Sequence, residues 1–108
     1  MNKYHPDAWV ILKIINEDVM YYKVLAGWYG GYASGDSWQI NSGIASVDKV
    51  DGVYEFYGYS GSVYFCNEKT ERLTGLMASI LDSYQKDMEA IGASLEVVPV
   101  SEVMFYFQ

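Results

Sequence analysis

The sequence predicts an α+β domain in which an antiparallel meander of about five to six strands packs one face against a single long amphipathic helix. Two observations support this fold class. Short runs rich in β-branched and aromatic residues fill the first two-thirds of the chain, whose 108 residues include eleven tyrosines. A single run with apolar residues three and four positions apart follows them, and a last short apolar run closes the chain.

The length is that of one domain, because 108 residues can bury a modest core without a disulfide or a metal. We therefore expect residues 1–108 to form a single domain. Its expected parts are an N-terminal arm (1–7), a strand meander (8–66), a helix (70–91), and a C-terminal strand and tail (95–107).

The first two strands are predicted to form a hairpin. Residues 8–15 contain one charge, Lys13, and carry apolar side chains at both odd and even positions. This pattern is typical of a central strand that is covered on both faces. Asn16-Glu17-Asp18 is a turn cluster, after which residues 19–28 return as the second strand.

The middle of the chain continues the meander. Trp38 and Ile40 alternate with Gln39, and Ser42-Gly43 predicts a bulge or bend before residues 44–50 resume an extended pattern.

Asp51-Gly52 predicts a two-residue type I′ turn that joins residues 44–50 to residues 53–57, because both residues accept positive φ. This register places Asp48 opposite Glu55, a pair of like charges, so a four-residue loop is the alternative. A further turn at residues 58–61 leads into the last strand of the meander, residues 62–66.

The helix is predicted from a stripe that recurs every three or four residues. Asn67 or Thr70 is its expected cap, although Gly75 favours a start near Thr74, and Gly92 provides a left-handed end. The stripe consists of Leu73, Leu76, Met77, Ile80, Leu81, Tyr84, Met88 and Ile91. Arg72, Asp82, Lys86 and Glu89 are expected on the solvent side.

The second face of the sheet is left open by this arrangement. One helix of about 20 residues spans roughly 30 Å and cannot cover both faces of such a sheet. Aromatic side chains on the second face are then half-exposed, covered by the glycine-rich loop, or buried in a homodimer.

The most unusual segment runs from Gly27 to Trp38, where glycines alternate with large aromatic residues. Such a loop either folds its aromatic side chains onto the sheet or offers them to a partner or a planar ligand. The candidate contact residues are Trp28, Tyr29, Tyr32, Asp36 and Trp38, and the candidate backbone positions are Gly27, Gly30, Gly31 and Gly35.

Catalytic and metal-binding patterns are weak throughout the sequence. One histidine and one cysteine cannot form a zinc site, and the glycine-rich loop matches neither the P-loop nor the dinucleotide fingerprint. Ser60 has only His5 as a possible base, and Asp36 with Glu55 is the sole candidate pair of carboxylates. We therefore predict no catalytic residue, metal or cofactor, and a non-enzymatic protein.

Charge and cysteine content restrict partners and compartment. The net charge is −7, and no lysine or arginine lies between Lys23 and Lys49, so direct nucleic-acid binding is not expected. The chain lacks a long apolar run and a signal-peptide pattern, so a cytosolic, membrane-free protein is expected. Cys66 has no second cysteine to pair with, and we expect it to be a small buried apolar residue.

Four segments of the chain carry a family resemblance: residues 4–12 (YHPDAWVIL), 25–32 (LAGWYGGY), 35–44 (GDSW with NSGI) and 60–64 (SGSVY). They resemble small accessory proteins of tailed bacteriophages, a group without established catalytic residues. The resemblance covers roughly residues 4 to 92 and implies a protein made in the bacterial cytoplasm that binds a host or defence component. The alternative from the sequence is a protein that binds a small, nucleotide-like ligand with the aromatic loop.

Overall fold

The computed structural model describes residues 2–31 and 35–108. The strands are β1 (Lys3–Tyr4), β2 (Ala8–Asn16), β3 (Val19–Gly31), β4 (Gly35–Ile40), β5 (Ile44–Val50), β6 (Val53–Gly58), β7 (Val63–Asn67) and β8 (Ser94–Val98). The helices are a 3-10 turn (Glu68–Thr70), α1 (Gly75–Ala90) and α2 (Val100–Tyr106).

The strands form two four-stranded sheets. The first sheet has the order β4-β3-β2-β8 and is antiparallel throughout, and the second has the order β1-β7-β6-β5. In the second sheet β1 runs parallel to β7, and the remaining pairs are antiparallel. The predicted α+β class is confirmed, but the prediction of a single sheet is wrong.

The division into two sheets begins at Asn41. Its backbone N–H donates to the Val24 carbonyl at 3.1 Å, and its side-chain oxygen accepts from the Val24 N–H at 2.9 Å. Gly43 follows with a φ of 127°, a value that favours glycine. The expected bend at Ser42-Gly43 therefore turns the chain out of the first sheet, and β5 starts the second one.

The second sheet covers the face of the first sheet that we expected to be open. Trp9 and Ile11 of β2 pack there against Phe56 and Tyr64, and all four side chains are fully buried or nearly so. The indole N–H of Trp9 also donates to the backbone carbonyl of Asn67 at 2.8 Å and so links the two sheets. The aromatic residues of β6 and β7 need an apolar cover of their own, and this face of β2 provides it.

The opposite face of the first sheet packs against α1. Val10, Leu12 and Ile14 contact a cluster that includes Met77 and Met88 of the helix. Strand β2 is thus covered on both faces, with odd and even positions separated as its alternation predicted.

Helix α1 is shorter than the predicted 70–91. It has 16 residues, and the Thr74 hydroxyl caps it by accepting from the Met77 N–H at 3.2 Å. Asn67 caps the preceding 3-10 turn instead, because its side chain reaches only the Lys69 N–H. The left-handed end at Gly92 is confirmed by a φ of 77°.

The predicted hairpin turn at Asp51-Gly52 is present. Asp51 and Gly52 have φ values of 50° and 79°, and Val50 faces Val53. Asp48 does lie opposite Glu55, and the Tyr57 hydroxyl donates to the Glu55 carboxylate at 2.6 Å. This hydrogen bond stabilises the Glu55 carboxylate and so offsets part of its repulsion with Asp48, which allows the register of the two-residue turn.

The C-terminal strand β8 is an edge strand that ends before Pro99, as expected. The apolar tail after it docks as helix α2, which buries Val103 in the core between the sheets. Cys66 is buried in the same core, as predicted. Among the described residues, no helix combines the length and the apolar character that a membrane crossing requires.

Candidate functional site

The described residues of the glycine-rich segment, 27–31 and 35–38, lie at the end of β3 and in the first part of β4, which form a hairpin. Gly30 and Gly35 have φ values of 58° and 73°, and the Gly30 N–H donates to the Asp36 carboxylate at 2.9 Å. Asp36 therefore closes the hairpin across its two strands. Tyr32, one of the predicted contact residues, lies outside the described residues, and Gly31 is the last residue of β3.

Strand alternation separates the predicted aromatic residues onto two faces. Trp28 points toward the second sheet, where its indole N–H donates to the His5 carbonyl at 3.0 Å. Its ring packs edge-on against the Tyr4 ring, with centroids 6.3 Å apart. Half-buried and hydrogen-bonded, Trp28 anchors the N-terminal segment to the hairpin.

Tyr29 lies on the opposite face, near the start of α1. Its hydroxyl accepts hydrogen bonds from Nε and Nη2 of Arg72 at 2.9 and 2.8 Å, and its backbone N–H donates to the Asp7 carboxylate at 2.8 Å. These contacts hold Tyr29 in place although its side chain is exposed.

Gly27 allows α1 to approach β3 closely. A Cβ atom at this position would lie 2.5 Å from Sδ and 2.9 Å from Cγ of Met77. Gly27 is buried under the helix, so its function here is packing.

Trp38 faces Gly27 across the hairpin and is the predicted contact residue that lines an open groove. Its side chain is 45% exposed. It borders a groove of about 310 Å³ between β4 and α1, which we call the Trp38 groove. The groove is lined by Trp38, Ile40, Ile80, Ser83, Tyr84 and Asp87.

The Trp38 groove is lined mainly by apolar and aromatic side chains and by one acidic residue, Asp87. Ile40 and Ile80 supply aliphatic walls, and burial raises the pKa of the Tyr84 phenol above its usual range. Asp87 forms no ion pair within 2–31 and 35–108, whereas its neighbour Lys86 is bound to Asp82 at 3.0 Å. The groove can therefore accept a flat or aliphatic group beside a positive charge.

The candidates for catalysis are not assembled into a site. Asp36 lies at the tip of the first sheet and Glu55 in the second sheet. His5 stacks on Phe65 with ring centroids 4.8 Å apart, while the Ser60 hydroxyl pairs with Ser42 at 3.1 Å. No cluster of three or more His, Cys, Asp or Glu side chains suited to a metal ion occurs in the part of the chain that the structure describes.

Our interpretation of the sequence assigned Ile80 and Tyr84 to the helix core and did not select Asp87. The three residues follow an i, i+4, i+7 spacing, which places them on one face of α1. That spacing was the available signal, but only the packing of α1 beside β4 brings this face next to Trp38.

Comparisons with protein-family models, with curated proteins and with solved structures found no match for this chain. The resemblance to phage accessory proteins therefore stays a prediction.

Proposed function

We propose that this is a non-enzymatic binding protein that engages a partner protein through the Trp38 groove. In the phage setting that the sequence resemblance implies, this partner is a host or defence protein of the bacterium.

The observation that carries the proposal is the exposure of Trp38 over an apolar groove. The protein has three tryptophans, of which Trp9 is fully buried and Trp28 is half-buried, and the indole N–H of each donates a hydrogen bond to a backbone carbonyl. Trp38 instead leaves nearly half of its surface to solvent beside Ile80 and Tyr84. Tryptophan and tyrosine in a partly formed pocket are the residues that most often dominate the free energy of protein binding.

Charge supports the same proposal. The protein has a net charge of −7, and the groove is lined by an aspartate and by no lysine or arginine. A partner surface with basic residues around an apolar side chain would complement it and would be attracted from a distance.

A small planar ligand is the second candidate, and the groove volume favours it. About 310 Å³ lies at the lower end of the range of small-molecule sites, roughly 300–1,000 Å³. A planar group could stack on Trp38 between Ile80 and Tyr84.

The proposal is tested by capture from a bacterial lysate followed by titration of the purified captured protein. Tagged wild type is compared with Trp38→Ala and with Tyr59→Ala, which removes a 71% exposed aromatic side chain from a turn of the second sheet. We expect Tyr59→Ala to bind like wild type and Trp38→Ala to bind at least about tenfold more weakly, as for an interface hot spot. Equal binding by all three proteins would contradict the proposal.

The ligand alternative is tested on the same proteins. Native mass spectrometry of the purified wild type, with thermal shifts against a nucleotide panel, should reveal a bound small molecule if that is the function. A ligand-free mass without any shift would count against it.

A further inference from the structure

We propose that the Trp38 groove receives an extended segment of the partner, which adds to β4 as a fifth strand of the first sheet and places a lysine or arginine beside Asp87. This inference rests on the proposed function and specifies how the partner is bound.

The backbone of β4 offers hydrogen-bonding groups in the right place. In an antiparallel pair of strands, every second residue points its N–H and C=O groups away from the partner strand. Asn41 N–H donates to Val24, which sets the phase of the ladder between β3 and β4. By this alternation the N–H and C=O groups of Trp38 and Ile40 point outward. The Gly27 carbonyl, opposite Trp38, correspondingly accepts from Asp7 on the β2 side.

The same two residues form the wall of the groove. Because residues at alternate positions share a face, the side chains of Trp38 and Ile40 both point toward α1. A strand added to β4 would therefore place its own alternate side chains over the groove, next to Ile80 and Asp87. Main-chain pairing would supply affinity, and the groove would select the side chains.

Strand β4 is a free edge of the first sheet, because it pairs only with β3 in the described chain. Proteins usually block free edges with charges, proline or very short strands. The other edges carry such features, because β1 has two residues, β5 carries Asp48 and Lys49, and β8 carries Glu96 and ends before Pro99. In β4 the one charged residue, Asp36, lies near the start of the strand, and residues 37–40, Ser-Trp-Gln-Ile, contain neither charge nor proline.

Charge identifies the occupant as a segment of a basic partner. A second copy of this chain, with a net charge of −7, would bring the acidic residues Asp36 and Asp87 toward an equally acidic copy. A segment with a lysine or arginine would instead meet Asp87, which has no ion-pair partner in the described residues. We therefore infer a different protein and not a homodimer.

The test uses peptides selected from a random 12-residue display library against the whole wild-type protein. We expect the selected peptides to carry a lysine or arginine two or four positions from an aliphatic or aromatic residue. N-methylation of each peptide bond in turn should weaken binding by about tenfold or more at alternate positions and by less than about twofold between them. This period of two is specific to strand addition.

Two variants locate the peptide on the protein. Asp87→Asn should weaken binding about threefold to fivefold at low salt, whereas Asp82→Asn, with the same change of charge on the same helix, should change it little. Trp38→Ala should abolish the selected binding.

The outcomes separate this inference from the proposed function. A flat N-methylation scan, with binding still lost in Trp38→Ala, would overturn strand addition and leave the groove as the binding site. Failure to select any Trp38-dependent peptide would also overturn it. Dimerisation of wild type in sedimentation, abolished by Trp38→Ala, would identify a second copy as the occupant and overturn the inference as well.

Discussion

Trp9 is a fully buried residue that links the two sheets. The centroid of its ring lies 5.7 Å from that of Tyr54 and 5.6 Å from that of Phe56. Its indole N–H donates to the backbone carbonyl of Asn67 in the second sheet. Trp9 belongs to β2, so it joins the first sheet to the second with both packing and a hydrogen bond.

We expect Trp9→Ala to lower the free energy of unfolding by about 3–5 kcal/mol, the usual cost of removing a large buried aromatic side chain. Trp38→Ala should change it by less than about 1 kcal/mol, because Trp38 is half-exposed at a sheet edge. Urea denaturation of both variants checks this. A comparable loss in Trp38→Ala would mean that Trp38 supports the fold and would weaken its assignment to binding.

The environment of Tyr22 makes the stability of the protein depend on alkaline pH. Burial, and then the hydrogen bond of 2.7 Å that its hydroxyl donates to Glu102, raise the pKa of Tyr22 to about 12. The neutral phenol is thus favoured by the folded state. The stability that Tyr22 contributes is fully present below the pKa of an unfolded tyrosine, about 10. It is lost as the pH rises through the pKa of Tyr22 in the folded state, about 12.

Wild-type protein should therefore lose stability between pH 10 and pH 12, and Tyr22→Phe should lose less over the same interval. Guanidinium denaturation at pH 9 and at about pH 11.5 measures the difference. Tyr59→Phe is the control, because it removes a phenolic hydroxyl from an exposed position. If Tyr22→Phe and wild type lose equal stability, Tyr22 does not contribute in this way.

At the scale of elements, the contact between α1 and β3 depends on Gly27. Met77 is fully buried against this position, so its side chain has little room to move away from a new methyl group. A helix that is forced outward here would also change the shape of the Trp38 groove, because the same helix lines it.

We expect Gly27→Ala to cost about 1–3 kcal/mol of stability through overpacking. Combined with Met77→Ala, it should cost less than the sum of the two single changes, because the smaller side chain accepts the methyl group. Gly75→Ala is the control, since a Cβ there meets nothing within 4 Å. Additive costs in the double variant would show that Gly27 and Met77 are not coupled.

At the scale of the whole molecule, the three layers share their cores and should unfold together. The middle layer, the first sheet, contributes Trp9 and Ile11 to one core and Leu12 and Ile14 to the other. The second sheet buries Phe56 and Tyr64 in the first of these cores, and α1 buries Met77 and Met88 in the second.

We therefore expect one cooperative transition in urea, with tryptophan fluorescence and far-ultraviolet circular dichroism giving the same midpoint. Tryptophan fluorescence reports mainly on the first sheet and its contacts, while circular dichroism reports on all layers. Separate midpoints would show that the second sheet or α1 unfolds independently.

The sequence by itself determined the local elements of this protein. The apolar pattern of residues 8–15 predicted a strand covered on both faces, Asp51-Gly52 predicted the tight turn, and Gly92 predicted the helix end. Each depends on residues close together in the chain, where φ preferences and side-chain alternation act directly. The α+β class followed from their order.

Only the tertiary structure decided how many sheets these strands form and where the groove lies. Alternation shows which side chains share a face, but the same pattern fits a face covered by a helix, by a second sheet or by a partner. The Asn41 corner, which divides the sheets, depends on its pairing with Val24 in another strand. Likewise, Trp38 and Asp87 are far apart in sequence, and they line one groove because α1 packs over Gly27 beside the free edge of β4.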